Sequence, residues 1–169
     1  MRVVAVADTH LKSWEVPEKL EEMIKKADIV VHAGDFDSYE VYERFADFEL
    51  VAVAGDSDDE RIRSKLPSEA VFEAEGLKFG VVHRGNYLNE FHDLGYKALE
   101  MGVDFLIFGH VHRFVLERLR VPVLCPGSPT QPRLSVGSFA ELVVEDGKVE
   151  VRMHTTEFAC GIDALRCLR

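Results

Sequence analysis

Five short apolar runs punctuate the chain: Val3 to Val6, Ile29 to Val31, Leu50 to Val53, Phe79 to Val82 and Phe105 to Phe108. Each reads as a buried strand. Between the first three, the apolar positions recur at helical spacing. From Pro17 to Ala27, Leu20, Met23, Ile24 and Ala27 share one face, and Pro17 suits a first turn. Ser38 offers an N-cap to a helix carrying Val41, Tyr42 and Phe45. A short helix is expected from Asp58 to Leu66, its acidic start favoured by the helix dipole. This β-α-β-α-β order predicts a largely parallel sheet with right-handed crossovers.

The second half changes pattern. Ala70 to Glu75 and Lys78 to His83 flank Glu75-Gly76-Leu77, which predicts a hairpin. A helix is expected from Asn89 to about Met101, followed by strands to Phe108 and near Val121 to Leu124. Phe139 to Val144 and Val149 to Met153 flank Glu145-Asp146-Gly147-Lys148, where Asp-Gly is a strong hairpin signal. Antiparallel strands added to a parallel half imply an α/β chain with two packed sheets and helices outside. No internal repeat or interdomain linker interrupts residues 1–169, so one domain is expected. The Pro-rich stretch Pro122 to Pro132 reads as a structured loop between strands.

The chemistry sits where the apolar runs stop. Asp8-Thr9-His10, Gly34-Asp35, Gly55-Asp56-Ser57-Asp58, Val82-His83 and Gly109-His110-Val111-His112 each follow a predicted strand. Ligands at strand carboxyl ends converge on one rim of a sheet. Three carboxylates and four imidazoles on one rim repel and desolvate one another unless cations hold them, and seven ligands suit two divalent ions better than one. Composition is compatible with this: 169 residues, 47% hydrophobic and 30% charged, describe an ordinary globular chain. The net charge of −10 argues against an extended nucleic-acid surface or an anionic membrane as partner. No apolar stretch has the length of a membrane span, and the start of the chain does not read as a signal peptide. The three cysteines, Cys125, Cys160 and Cys167, show no close-spaced zinc pattern, so a reducing cytoplasm is the expected location.

Taken in order, Asp8-x-His10, Gly34-Asp35, Gly55-Asp56-x-Asp58, His83 and Gly109-His110-x-His112 resemble the motif series of the calcineurin-like metallophosphoesterases. Their spacing is similar to the compact single-domain phosphodiesterase branch, whose fold is an αββα sandwich, and Pro126-Gly127-Ser128 with Pro132-Arg133 is similar to a loop of that branch. The resemblance implies that Asp8, His10 and His112 hold one metal ion. It implies that His83, His110 and Asp56 hold a second, and that Asp35 bridges the two. Such a carboxylate holds cations about 3.5–4 Å apart, a separation that clamps attacking and leaving oxygens. Mixed carboxylate and imidazole ligands favour Mn, with Fe, Ni, Co or Zn as alternatives. The implied activity is hydrolysis of a small phosphodiester by a hydroxide shared between the ions. A scaffold of the same fold that acts through protein contacts is the alternative.

Two positions depart from the family pattern. Asp56 stands where the family usually carries a metal-binding Asn, and an ionised carboxylate cannot donate a hydrogen bond to phosphate. Two divalent ions against Asp8, Asp35 and Asp56 leave one net positive charge, where an amide would leave two. Ser57 stands where many relatives carry a catalytic His, leaving Arg84, Asn86 and Arg113 as candidates to assist the leaving group. His32, His92 and His154 are expected outside the site. At the carboxyl end, Phe158, Ile162, Leu165 and Leu168 recur at helical spacing. That predicts a helix packed on its own core or against a twin subunit in a homo-oligomer. Cys160 and Cys167 would share one side of that helix, too far apart for a disulfide.

Overall fold

A computed structural model of the chain describes residues 1–85 and 91–160. In order, its elements are β1 (Arg2–Val6), α1 (Glu18–Ile24), β2 (Ile29–His32), α2 (Tyr39–Phe45), β3 (Leu50–Ala52), α3 (Glu60–Arg63) and β4 (Glu69–Ala74). There follow β5 (Leu77–Val82), α4 (His92–Met101), β6 (Phe105–Ile107), β7 (Phe114–Glu117), β8 (Val123–Pro126), β9 (Ser135–Glu145) and β10 (Lys148–Cys160). They form two five-stranded mixed sheets, ordered β10-β9-β1-β2-β3 and β4-β5-β6-β8-β7. Strands β1, β2 and β3 run parallel, as do β5, β6 and β8, while β9, β10, β4 and β7 pair antiparallel.

Strand β1 shows why its run is wholly apolar. Side chains alternate across a strand, and both faces of β1 are covered. Val3 and Ala5 face the second sheet, whereas Val4 and Val6 pack with Leu20 and Ile24 of α1 and Val41 and Phe45 of α2. Strand β6 repeats the logic. Phe105 and Ile107 join the inter-sheet core, and Leu106 packs with Leu94 and Ala98 of α4. The layers are therefore helices, sheet, sheet and helix, the expected αββα sandwich. Both hairpin turns have the positive φ that the two-residue geometry requires, Glu75 and Gly76 at 48° and 79°, and Asp146 and Gly147 at 49° and 70°.

Local details differ from the sequence expectation. Ser38 occupies the N-cap of α2 but makes no capping side-chain bond. Helix α3 begins later than Asp58, and Asp59 is its cap, accepting from the Ile62 N–H at 2.8 Å. Strand β7 was not anticipated. Its last two residues are exposed, and Arg113 and Arg118 around it mask any apolar period. Phe158 belongs to β10 rather than to a helix, because the strand continues to Cys160. Ile162, Leu165, Leu168 and Cys167 lie outside the described residues. None of the described helices is long and apolar enough to cross a membrane.

The inter-sheet core is anchored by Phe79, fully buried between Phe72 (ring centroids 5.0 Å apart) and Phe105 (5.6 Å). Phe79→Ala should lower unfolding free energy by about 3–5 kcal/mol, read as a shifted denaturation midpoint with an unchanged denaturant slope.

Candidate metal centre

The strand ends deliver their side chains to one rim. Strands β1, β2 and β3 end just before Asp8, Asp35 and Asp56, and β5 and β6 just before His83 and His110. Backbone bonds stitch the following loops together: the Asp8 N–H donates to the Gly34 carbonyl (3.0 Å), His10 to Asp35 (3.1 Å) and Gly109 to His83 (2.8 Å). Five of the ligand-type residues, Asp8, His10, Asp35, His110 and His112, have φ between 44° and 74°. Left-handed backbone is uncommon outside glycine and gathers where a site over-determines its loops. Gly55 permits the close approach, since a Cβ there would stand 2.2 Å from both the N and Oδ1 of Asp35.

All seven sequence-predicted residues meet on this rim. Oxygen and nitrogen atoms of Asp8, His10, Asp35 and His112 lie within 4.8 Å of one another, and so do those of Asp35, His83 and His110. Asp35 belongs to both groups. His10 Nε2 stands 3.1 Å from His112 Nε2 and 3.6 Å from Asp35 Oδ2, and His112 Nε2 is 3.7 Å from Asp8 Oδ1. In the second group, His83 Nε2 lies 3.4 Å from Asp35 Oδ2. Asp56 Oδ2 approaches His110 Nδ1 at 3.1 Å and His83 Nε2 at 3.6 Å.

The ring partners decide which nitrogen each histidine presents. His83 Nδ1 bonds the Ala33 carbonyl (2.7 Å), His112 Nδ1 the Gln131 carbonyl (2.6 Å) and His10 Nδ1 the Asp37 carboxylate (2.9 Å). Each acceptor takes the Nδ1 hydrogen and leaves the Nε2 lone pair facing the cluster, as metal-ligating histidines are held. His83 Nε2 is buried without a hydrogen-bond partner among the described residues. An orphaned imidazole nitrogen beside a carboxylate and a second imidazole fits a cation.

Electrostatics point the same way. Burial lifts the Asp8 carboxyl to about 7, against the pull of His83 and the His110 N–H. Burial pushes His112 down to about 4. Burial also opposes charge on His83, but the Asp35 carboxylate outweighs it and lifts the ring to about 9. Asp35 itself is held well below the usual carboxylate range, because His83 and the Ser57 N–H overcome its burial. Asp35 and His83 each favour the other's charged form, and a bound cation would take over that pairing.

Several supports take roles that the motifs did not assign. Asp58, expected at a helix start, is instead buried and accepts four backbone N–H bonds. Its Oδ2 takes those of Asp35 (3.1 Å) and Gly55 (2.7 Å), and its Oδ1 those of Phe36 (2.7 Å) and Asp37 (3.1 Å). Ser57, in the position of the absent His, donates its N–H to Asp35 Oδ1 at 2.8 Å. The Pro-rich loop reaches across from the second sheet: Ser128 Oγ donates to the Asp8 carbonyl (2.7 Å), Thr130 Oγ1 to that of Thr9, and Gln131 Nε2 to that of His10 (3.2 Å). His32 is fully buried and stacks on Phe36, with its Nδ1 accepting from the Gly34 N–H and burial holding its pKa well below the ordinary value. His154 pairs with Glu141 at 3.2 Å, and His92 starts α4 on the exposed surface. Of the candidates to assist a leaving group, Arg84 lies 3.3 Å from Asp56, Arg113 is exposed with no ion pair to the cluster, and Asn86 lies outside the described residues.

The calcineurin-like phosphoesterase superfamily domain matches residues 1–147. The chain belongs to this superfamily. It is 34% identical over 167 residues to a "probable metallophosphoesterase" of Methanocaldococcus jannaschii, covering 93% of this chain and 82% of that protein. Among solved structures, Vps29 of Chaetomium thermophilum superposes with a TM-score of 0.75 at 19% identity, over 92% of this chain and 97% of that one. A novel archaeal phosphodiesterase superposes with a TM-score of 0.66 at 23% identity, over 91% and 100%. These two likenesses concern the fold. Membership of the family makes the chain a metal-dependent hydrolase acting on phosphoester bonds.

Asp58 can be tested directly. In Asp58→Asn an amide NH2 would oppose two backbone donors, so both Asn and Ala variants should lose at least about 3 kcal/mol of stability. Chemical denaturation measures the loss, and calorimetry should show weakened uptake of divalent metal.

Proposed function

We propose that the chain is a divalent-metal-dependent phosphodiesterase with a dinuclear centre. The observation that carries this reading is Asp35, whose carboxylate belongs to both ligand groups on the rim. Asp8, His10, Asp35 and His112 would hold one ion, and Asp35, Asp56, His83 and His110 the other. The donor set of carboxylates and imidazoles fits Mn, with Fe, Ni, Co or Zn as alternatives. When bound, two such ions supply Lewis acidity and lower the pKa of water for attack on phosphorus.

The chain's own residues set the rest. Asp35 fixes the separation of the two half-sites, and Ser57 N–H fixes the orientation of Asp35. Asp37, Ala33 and Gln131 keep His10, His83 and His112 in the tautomer that offers Nε2 to the site. Ser57 is a poor acid for an alkoxide, so substrates with good leaving groups should react fastest. The net charge of −10 supports a small substrate over a nucleic-acid strand.

A protein-binding role is the second reading, favoured by the resemblance in fold to Vps29. The full set of ligand-type side chains on the rim supports the enzyme. Protein stripped of metal and reloaded with Mn should hydrolyse an aryl phosphodiester, and no turnover with metal bound would leave the scaffold reading standing. Asp35→Asn should lose more than the about 10–100-fold typical of outer-sphere changes. Retention of full activity and full metal stoichiometry in that variant would end the dinuclear mechanism. Free Mn at 100-fold its dissociation constant should stabilise the fold by about 2.7 kcal/mol, and equal melting midpoints with and without Mn would remove the metal centre altogether.

A further inference from the structure

We propose that Arg84 is a phosphate-binding residue that works as a pair with Asp56, supplying the donor and the positive charge that a carboxylate at position 56 withholds from a phosphoester. The proposal rests on the metal-centre reading above and concerns the same site. Asp56 Oδ2 is a shared point. It meets His110 Nδ1 at 3.1 Å, Arg84 at 3.3 Å through one terminal guanidinium nitrogen, and His83 Nε2 at 3.6 Å. An ionised carboxylate only accepts hydrogen bonds, so Asp56 repels an arriving phosphate oxygen rather than binding it. Arg84 follows His83 at the end of β5, and its guanidinium sits against that same carboxylate oxygen.

The charge balance then changes. With Asp56 ionised, two divalent ions leave the centre a single net positive charge, and Arg84 returns the second. Arginine also has five N–H donors in a planar fork matched to phosphate oxygens. Asp56 engages one end of that fork, and Arg84 makes no other ion pair among the described residues. The side chains are 43% and 57% exposed, and an ion pair so open to water is weak. The guanidinium can therefore swing from Asp56 to a phosphate oxygen at little cost.

The surroundings place Arg84 at a junction. A cavity of about 700 Å³ opens beside the rim, lined in part by Asp56, His83, Arg84, Tyr96 and Lys97. That is the size of small-molecule sites in general. Lys97 is already held by Glu69 at 2.6 Å and Glu100 at 3.3 Å. Arg84, tied to one carboxylate, is the cation better placed to grip the phosphate while the ester group extends into the cavity.

The test uses the full chain loaded with saturating Mn and titrated calorimetrically with inorganic phosphate. Arg84→Ala should weaken phosphate binding at least about tenfold, the weight of one charge-assisted hydrogen bond, with manganese stoichiometry unchanged. Arg84→Lys keeps the charge but not the fork and should fall between. In an Asp56→Asn background, where the amide donates, removing Arg84 should cost about threefold or less, a coupling that the double-mutant cycle isolates. Mn itself should bind more tightly to Arg84→Ala, because a neighbouring cation is gone. Phosphate affinity within about twofold of the parent in Arg84→Ala, at full manganese uptake, would overturn the role of Arg84. Equal losses in both backgrounds would overturn the pairing. A parent protein that takes up no Mn would instead overturn the metal-centre reading on which the pair depends.

Discussion

The rim buries Asp8 and Asp35 where water cannot screen them, and the rest of the structure answers that constraint. Asp8 is fully buried and Asp35 nearly so, with His112 against Asp8 and His10 and His83 against Asp35. A buried charge must be paired or hold a metal. The loops that carry these groups adopt left-handed backbone at five ligand positions, which costs energy that the surroundings must offset. Asp58 gathers four N–H groups of the β2 and β3 loops on one carboxylate, and Ser128 ties the Asp8 loop to the opposite sheet. Removing such ties frees the backbone to relax away from the geometry that a cation needs.

The site also divides by sheet. Asp8, Asp35 and Asp56 follow β1, β2 and β3 of the first sheet, so every carboxylate comes from one side. His83, His110 and His112 follow β5 and β6 of the second. His10 alone among the imidazoles comes from the first sheet, so three of the four imidazoles reach the acids only when the two sheets are packed. The inter-sheet core of Val3, Ala5, Val31, Phe79, Val81 and Ile107 lies directly beneath them. Core packing thus positions the chemistry: a shift of one sheet against the other would separate the two halves of the cluster.

The same double sheet occurs in an archaeal phosphodiesterase and in Vps29. Fold likeness alone cannot choose between hydrolysis and protein contact. The choice turns on side chains at the rim. A donor set held in one tautomer by Ala33, Asp37 and Gln131 is a costly arrangement for a surface that only binds a partner.

Local sequence carried the strands that are buried on both faces, because continuous apolar runs have few alternatives. It carried the two hairpin turns, since Glu75-Gly76 and Asp146-Gly147 supply positive φ cheaply. It also carried the seven rim residues as a set, because each ends an apolar run. Strand β7 escaped, since charged neighbours and an exposed end erase its period, and Phe158 misled, since it lies near the end of a long edge strand rather than at the start of a helix. Asp58, Ser57 and the loop from Ser128 to Gln131 were decided only by tertiary structure. Apart from the local Gly55–Asp58 bond, their bonds join residues 21 to 121 positions apart, and no local period encodes which distant N–H or carbonyl a side chain will meet. The Asp56–Arg84 contact belongs there too: 28 positions separate the partners, and the packing of one sheet's rim on the other's brings the guanidinium to the carboxylate.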